Sequence, residues 1–241
     1  LYPSDNHFEG KSLRLKQQYF LVSASLQNIV SDHVRRYGSL DSLPDMAAIH
    51  INDTHPALAV PELMRILIDE YGYDWDSAWS IVTRTIAYTN HTVMSEALEK
   101  RSEDLIARRL PRIYSILKEI NQRFCADMWN RFPGDWGKID RMSIFSHSQI
   151  KMANLSVIAS HKVNGVSALH SKIIKESIFK DFNDVFPEKF TNVTNGIAYR
   201  RWLCQSNPEL SSLITDCIGD EFVKYAAKLI GCKDFETDEW V

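Results

Sequence analysis

The sequence predicts a helix-rich α/β fold, and three observations carry that expectation. Short β-branched and aromatic runs, Met46 to Ile51, Ile86 to Thr89 and Phe190 to Thr194, have the length and make-up of strands. Longer segments with an apolar residue every three or four positions separate them, as helices that cover a sheet do. Polar residues crowd the places where the apolar runs stop: His50, Asp53 and His55 at the first, Asn90 and His91 at the second. Open α/β sheets bind their ligands at the carboxyl ends of strands.

Taken in order, Leu13 to Tyr37 carries Leu15, Tyr19, Val22, Leu26, Ile29, Val30 and Val34 at helical spacing, and Gly38 follows as a stop. Met46 to Ile51 comes after Pro44 and predicts a buried strand. Thr54 is expected to cap the helical segment after it, Pro56 fits a first helical position, and Pro61 suggests a second start before Leu63 to Glu70. Asp74 predicts an N-cap for Trp75 to Thr85, and Ile86 to Thr89 a strand. Ile113, Ile116, Leu117, Ile120, Phe124 and Met128 form a helical stripe ended by Pro133-Gly134. Met152 to Ser160 predicts a helix, broken by Lys162 to Val166. Phe190 to Thr194 predicts a strand before Asn195-Gly196, and Asn207-Pro208 opens a last helical region. The Asn-Gly pairs at 164–165 and 195–196 suggest tight turns. No repeat or low-complexity linker divides the chain, and the expected domain boundary is the Asn195-Gly196 turn.

With 44% hydrophobic and 24% charged residues, the chain suits a folded globular protein. A net charge of −3 gives no field that argues for nucleic acid or an acidic membrane. Cys125, Cys204, Cys217 and Cys232 lack CxxC spacing, so neither a zinc site nor a disulfide framework is expected, and a reducing cytoplasm is the simple setting. No stretch reaches the ~20 apolar residues of a membrane helix, and nothing reads as a signal peptide. The chain begins at Leu1 rather than Met, which suggests an excised segment.

His50, Asp53 and His55 leave three readings open. Imidazole and carboxylate suit a transition metal, yet the spacing supplies too few ligands for a site. Asp53 also suits a helix cap, and the cluster suits a hydroxyl-rich ligand. His91 alone reads either as a satisfied core histidine or as a ligand contact. Asn164 and Asn195 offer the donor and acceptor that a sugar hydroxyl needs. Asp5-Asn6 reads as a polar loop. Arg200-Arg201-Trp202 suits an anion clamp, or an Arg pair over a partly buried Trp. Nucleotide-loop, serine-hydrolase and zinc-protease motifs are absent.

The words LYPSDNHFEGKSLRLKQQYFLVSASLQ, INDTHPALAVPELMRIL, AYTNHTVMSEALE, EINQRF, MANLSVIASHKVNGVSALHSKI, FKDF, PEKF and TNGIAYRRWL occur in this order. Together they resemble the central stretch of the α-glucan phosphorylases that act on glycogen, starch and maltodextrin. The resemblance implies part of a two-lobed, Rossmann-like fold of the GT-B glycosyltransferase type. Residues 1–194 would be the latter part of the glucan-binding lobe, and 195–241 the start of the cofactor-binding lobe. It implies transfer of terminal glucose from an α-1,4-glucan or maltodextrin onto orthophosphate, with pyridoxal 5′-phosphate as cofactor in the parent. A homodimeric, allosterically controlled, cytoplasmic parent fits it; nucleic acid and membrane partners do not.

Carried over by matching words, Asp5 and Asn6 resemble a gating loop that closes on the sugar. Asp53 and His55 resemble an acceptor-side pair. His91 resembles the histidine whose main-chain carbonyl meets the glucosyl unit and which assists its transfer. Val166 and Asn195 resemble glucosyl-pocket residues, and Trp202 the tryptophan near the cofactor. No metal ligand is carried over. Met94-Ser95 replaces the family's usual Leu-Pro, and Ala198-Tyr199 precedes Arg200 where the family often has a Pro or His. The family's cofactor lysine is not in this sequence, so the segment alone is expected to be inactive. The alternatives are a free-standing glucan-binding module and a metal-dependent hydrolase using His50, Asp53 and His55.

Overall fold

The structure is a computed structural model in which Pro3 and residues 6–235 are described. They form two compact units that part between Thr194 and Asn195.

In the first unit the strands are β1 (Ile49–Asn52), β2 (Ile86–Thr89), β3 (Lys100–Ser102), β4 (Phe145–Ser146), β5 (Gln149–Lys151), β6 (Val163–Gly165) and β7 (Phe190–Asn192). β1, β2, β6 and β7 lie side by side in that order as a parallel sheet. Its register sets Asn52 beside Thr89, Thr89 beside Asn164, and Asn164 beside Thr191, one polar row near the carboxyl edge. β3, β5 and β4 form a small antiparallel sheet. His147 and Ser148 join β4 to β5 with φ of 50° and 58°, the left-handed pair that a two-residue type I′ turn requires.

The helices of this unit are α1 (Phe8–Tyr37), α2 (Leu43–Met46), α3 (Ala59–Arg65), α4 (Trp75–Thr85), α5 (Glu103–Arg109), α6 (Pro111–Arg131), α7 (Trp136–Met142), α8 (Met152–Ala159), α9 (Ala168–Ile173) and α10 (Lys180–Val185). α1 buries Leu15, Val22, Leu26 and Val30 along one stripe, and Gly38 ends it in the left-handed region, donating to the Val34 carbonyl at 2.8 Å. All eight residues of α8 are buried, its polar Asn154 donating to the Arg141 and Ser143 carbonyls and its Ser156 to the Met152 carbonyl. Ile113, Ile116, Leu117, Ile120 and Met128 of α6 join the same core. Fully buried Glu62 ties α3 to α1. It accepts from Arg65 through both oxygens at 2.8 Å, from Tyr19 at 2.8 Å and from Ser23 at 2.7 Å. Asp74 caps α4 as expected, accepting from the Asp76 and Ser77 amides.

Four expectations need correction. Thr54 does not cap a helix: its hydroxyl donates to Glu99 at 2.7 Å, and α3 begins only after Leu58, which has no side-chain cap. Pro61 starts no second helix; it sits in the first turn of α3, where its missing N–H costs nothing. Lys162 to Val166 is not a simple break, since Val163–Gly165 is strand β6. Gly165 and Gly196 both lie outside the positive-φ glycines, so neither Asn-Gly pair is a left-handed turn. Gly165 is needed instead for a close approach: a Cβ there would lie 2.8 Å from the Ser171 amide nitrogen and 2.9 Å from Ser171 Cα.

The second unit holds a π-helical turn at Arg200–Gln205, α11 (Pro208–Ile218) capped by Asn207, and short 3₁₀ turns at Asp220–Val223 and Ala226–Phe235. Ile197, Trp202, Tyr225 and Ile230 are exposed. Among the described residues no helix is long and apolar enough to cross a membrane.

Candidate functional site

The carboxyl edge of the parallel sheet gathers the polar residues. Asp53 comes directly after β1 with φ of 60°, a left-handed conformation that Asp tolerates better than most residues. Its amide donates to the Thr89 carbonyl at 2.9 Å, and its Oδ1 accepts from the Thr54 amide at 2.6 Å. So Asp53 caps one turn rather than a helix.

His91 lies just beyond β2. It is exposed, and its Nε2 lies 2.6 Å from Asn52 Oδ1 at the end of β1. The core-histidine reading therefore fails for His91. The neighbouring Asn90 is fully buried: its Nδ2 donates to the Tyr88 hydroxyl at 2.9 Å, and its Oδ1 accepts from the Thr92 amide at 2.9 Å. Burial raises the Tyr88 pKa far above that of a free phenol.

Beneath the edge, a polar chain runs across three strands. The Thr89 hydroxyl donates to Asn164 Oδ1 at 2.7 Å, so it accepts from His50 Nε2, which must carry the proton. Burial lowers the His50 pKa below its ordinary value, and nearby His161 lowers it further. His50 therefore supports the edge from below.

Asp53 and His55 open onto a cleft of about 420 Å³. Lys11, Arg14, Lys100 and Arg101 line it beside Thr54, Thr92 and Glu99. Arg14 Nη2 lies 3.4 Å from His55 Nδ1. Glu99 accepts from Thr54 through one oxygen and from Arg101 through the other, and Arg101 also donates to Gln18 at 2.7 Å. Such a wall of donors with interspersed carboxylates suits a ligand rich in hydroxyl oxygens. Among the described residues no group of three or more His, Cys, Asp or Glu converges as a metal set.

Of the residues singled out from sequence, Asp53, His55, His91 and Val166 thus meet along one edge of the first unit. Asn6 is exposed just before α1, and Asp5 lies outside the described residues. Asn195 and Trp202 belong to the second unit. Trp202 is 67% exposed, not partly buried. Arg200 in that unit is engaged with Tyr199, its guanidinium 4.8 Å from the ring centroid and Nη1 2.7 Å from the hydroxyl. Of the two departures from the family words, Met94 is exposed ahead of a short turn at Ser95–Ala97, and the Tyr199 hydroxyl donates to the Val223 carbonyl at 3.0 Å.

Sequence reasoning missed Arg14, Glu99 and Arg101: Arg14 is a polar position on the striped helix α1, and Glu99 and Arg101 lie beside and within the three-residue strand β3, too short to show a pattern. It also missed His170, whose signal was Ser167 three positions earlier, an N-cap spacing at the start of α9.

The comparisons with known proteins agree with this geometry. The family profile described as carbohydrate phosphorylase matches residues 1–241. The chain is 55% identical to the glycogen phosphorylase of Bacillus subtilis (strain 168) over 238 residues, covering 99% of the chain and 30% of the relative. It is 48% identical to the muscle form of glycogen phosphorylase from Homo sapiens over 252 residues and to the brain form over 254, again at 99% and 30% coverage. The chain thus spans about 30% of the length of these relatives.

Proposed function

The chain belongs to the carbohydrate phosphorylase family, and from that premise we propose that it is the glucan-facing part of an α-1,4-glucan phosphorylase. The whole enzyme moves the terminal glucose of a glucan or maltodextrin onto orthophosphate and releases α-D-glucose 1-phosphate. The observation that carries this reading is the convergence of Asp53, His55, His91 and Val166 on the carboxyl edge of one parallel sheet, where such folds bind ligands.

In this reading His91 receives the glucosyl unit through its carbonyl and acts on it with its ring. Val166 lines the same pocket, and Asp53 with His55 takes hydroxyls on the acceptor side. Asn52 holds the imidazole in place from the neighbouring strand, so its position is set before substrate arrives. Asp5 and Asn6 close over the sugar. Residues 1–194 belong to the glucan-binding lobe, and Asn195 with the rest of the second unit opens the other lobe. The exposed Ile197, Tyr225 and Ile230 support that assignment, being apolar surface that a completed lobe covers.

Pyridoxal 5′-phosphate belongs to this proposal for the whole enzyme, where it supplies phosphate chemistry beside the sugar. Trp202 is the residue here carried over toward it. With Trp202 largely exposed and Arg200 engaged by Tyr199, these residues form no cradle for the cofactor. A cytoplasmic setting accords with Cys125, Cys204, Cys217 and Cys232 all being free thiols.

The test is phosphorolysis by the full-length protein. Maltodextrin and orthophosphate should yield glucose 1-phosphate, with none formed when phosphate is omitted and none from the 241-residue segment alone. Full-length protein that binds maltodextrin but releases no glucose 1-phosphate would favour the free-standing binding module. That alternative is weaker, because its relatives are named as phosphorylases.

A further inference from the structure

We propose that His170 is a positioning residue of the glucosyl pocket, clamping the loop that carries His91 to the segment that carries Val166. The inference rests on the functional reading above and adds to it a residue outside the strand ends.

His170 lies on α9 and is 5% exposed. Its Nδ1 accepts from the Val166 amide at 3.2 Å, and its Nε2 meets the Thr92 carbonyl at 3.1 Å. A backbone N–H can only donate and a carbonyl can only accept. The ring is therefore neutral, with its proton on Nε2. The two bonds join backbone atoms 74 residues apart in sequence (166 − 92), each next to or part of a residue assigned to the sugar.

The clamp has a fixed base. Ser167 caps α9 by accepting from the His170 amide at 3.1 Å. Ser171 packs so tightly on Gly165 that a Cβ there would lie 2.6 Å from its Oγ, and the same hydroxyl donates to Asn192 at 2.8 Å. α9 is thus held against β6 and β7, and His170 reaches from it to the end of β2. On the far side, Asn52 holds the His91 ring. The His91–Thr92 loop is gripped from β1 by one contact and from α9 by the other.

A core histidine with no such role would have its bonds satisfied by groups remote from the ligand edge. Here both partners lie on that edge, and misplacing reacting groups by ~1 Å can cost about 100-fold in rate.

The experiment compares His170→Phe with His170→Gln in the full-length enzyme, using maltodextrin and orthophosphate. Phe keeps a planar ring and loses both bonds. Gln offers one acceptor and one donor at a separation close to that of the two ring nitrogens. The expected result is a loss of kcat of ~10- to 100-fold for Phe with a smaller change in KM, and recovery of most of it by Gln. Two kinetic outcomes would overturn the proposal. One is His170→Phe within twofold of the parent in kcat and KM well below its melting temperature, however much that temperature falls. The other is Gln losing as much as Phe. If His170→Phe does not fold, the Gln variant and the ¹⁵N spectrum of labelled histidine in the unmutated protein decide. A ring protonated on Nδ1 would sink the clamp. A parent that folds but forms no glucose 1-phosphate counts against the functional reading, and the ¹⁵N spectrum still tests the clamp on its own.

Discussion

His91 Nε2 meets Asn52 Oδ1 at 2.6 Å, one strand end holding the imidazole presented by the next. The ring is exposed, so this contact does not bury it; it aims it. An amide oxygen only accepts, so Nε2 carries the proton in this arrangement.

Removing either partner of that pair in the full-length enzyme should lower turnover more than it weakens glucan binding. His91→Ala keeps the main-chain carbonyl and loses the imidazole, with an expected fall in kcat of ~10²-fold. Asn52→Ala leaves the ring without its guide, with an expected loss of about tenfold. Because His91 is exposed, His91→Ala should change stability by no more than about 0.5 kcal/mol. Initial rates across glucan concentration, with a thermal melt of each variant, test this. Folded His91→Ala enzyme with unchanged kcat would leave the ring no part in the chemistry.

Asp53 allows backbone and charge to be separated. Its φ of 60° penalises an ordinary side chain, whereas Asn tolerates it nearly as well as Asp. Asp53→Asn should melt close to the parent. Asp53→Ala should lose about 1–2 kcal/mol, from left-handed strain and from the bond to the Thr54 amide. If Asp53 acts on glucan hydroxyls through its charge, both variants raise the KM for maltodextrin. A raised KM in Ala alone would confine Asp53 to shaping the turn.

The buried Glu62 cluster predicts a stability profile with two limbs. Burial alone would raise the Glu62 pKa, but hydrogen bonds from Arg65, Ser23 and Tyr19 outweigh it and hold the carboxyl below its usual range. A depressed carboxylate contributes stability above its unfolded pKa, and that contribution is lost on acidification through the folded value. Burial, aided by Glu62, pushes the Tyr19 phenol up to about 12. Its contribution is complete below the unfolded value of 10.0 and is lost as pH rises from there towards 12. Glu62→Gln should cost about 1–3 kcal/mol at neutral pH: the charge-assisted bonds from Arg65, Tyr19 and Ser23 weaken, while half-buried Arg65 keeps Glu70 as a counter-charge at 2.8 Å. Denaturant melts from pH 3 to 11 test both limbs; Tyr19→Phe that leaves the alkaline limb unchanged would remove Tyr19 as its cause.

How far the sequence announced this structure depends on which residues carry periodic signals. The stripes of α1 and α6, the N-cap Asp74 and the strand Ile86–Thr89 were legible because burial on one face demands spacing that propensity and pattern both report. β6 was not, because three residues reading Val-Asn-Gly carry the composition of a turn. Only the tight seat of Gly165 on Ser171 explains a glycine inside a strand. β3 is Lys-Arg-Ser and β4 is Phe-Ser, both below the length at which alternation shows. At the site, Asp53, His55 and His91 stood out because polar residues came directly after apolar runs. The wall built by Arg14, Glu99 and Arg101 did not, because its members meet through contacts up to 83 residues apart.

Lys189 gives the most direct test of buried charge in the first unit. Its Nζ donates to the Val157 carbonyl at 3.1 Å and the Ile158 carbonyl at 2.9 Å, closing the carboxyl end of α8, and it lies 5.2 Å from the Phe186 ring centroid. A cation suits that helix end. Burial works against it, and the pKa falls from 10.5 to about 8, Glu188 opposing the fall only in part. The unfolded chain therefore binds more protons than the folded one between those two values. Stability must rise with pH across that window, since below it both states are protonated and above it neither is. Lys189→Met removes the titration while keeping an apolar stem of similar length. The melting temperature of the parent should climb relative to Lys189→Met between pH 8 and 10. Taking the difference cancels other groups that titrate there, and stopping at pH 10 keeps clear of Tyr19. At neutral pH the variant loses two hydrogen bonds, worth about 1 kcal/mol each, and escapes the cost of a buried charge, so the two melts should lie close together. Parallel pH profiles for the two proteins would show that Lys189 keeps its ordinary pKa and that water reaches its ammonium group.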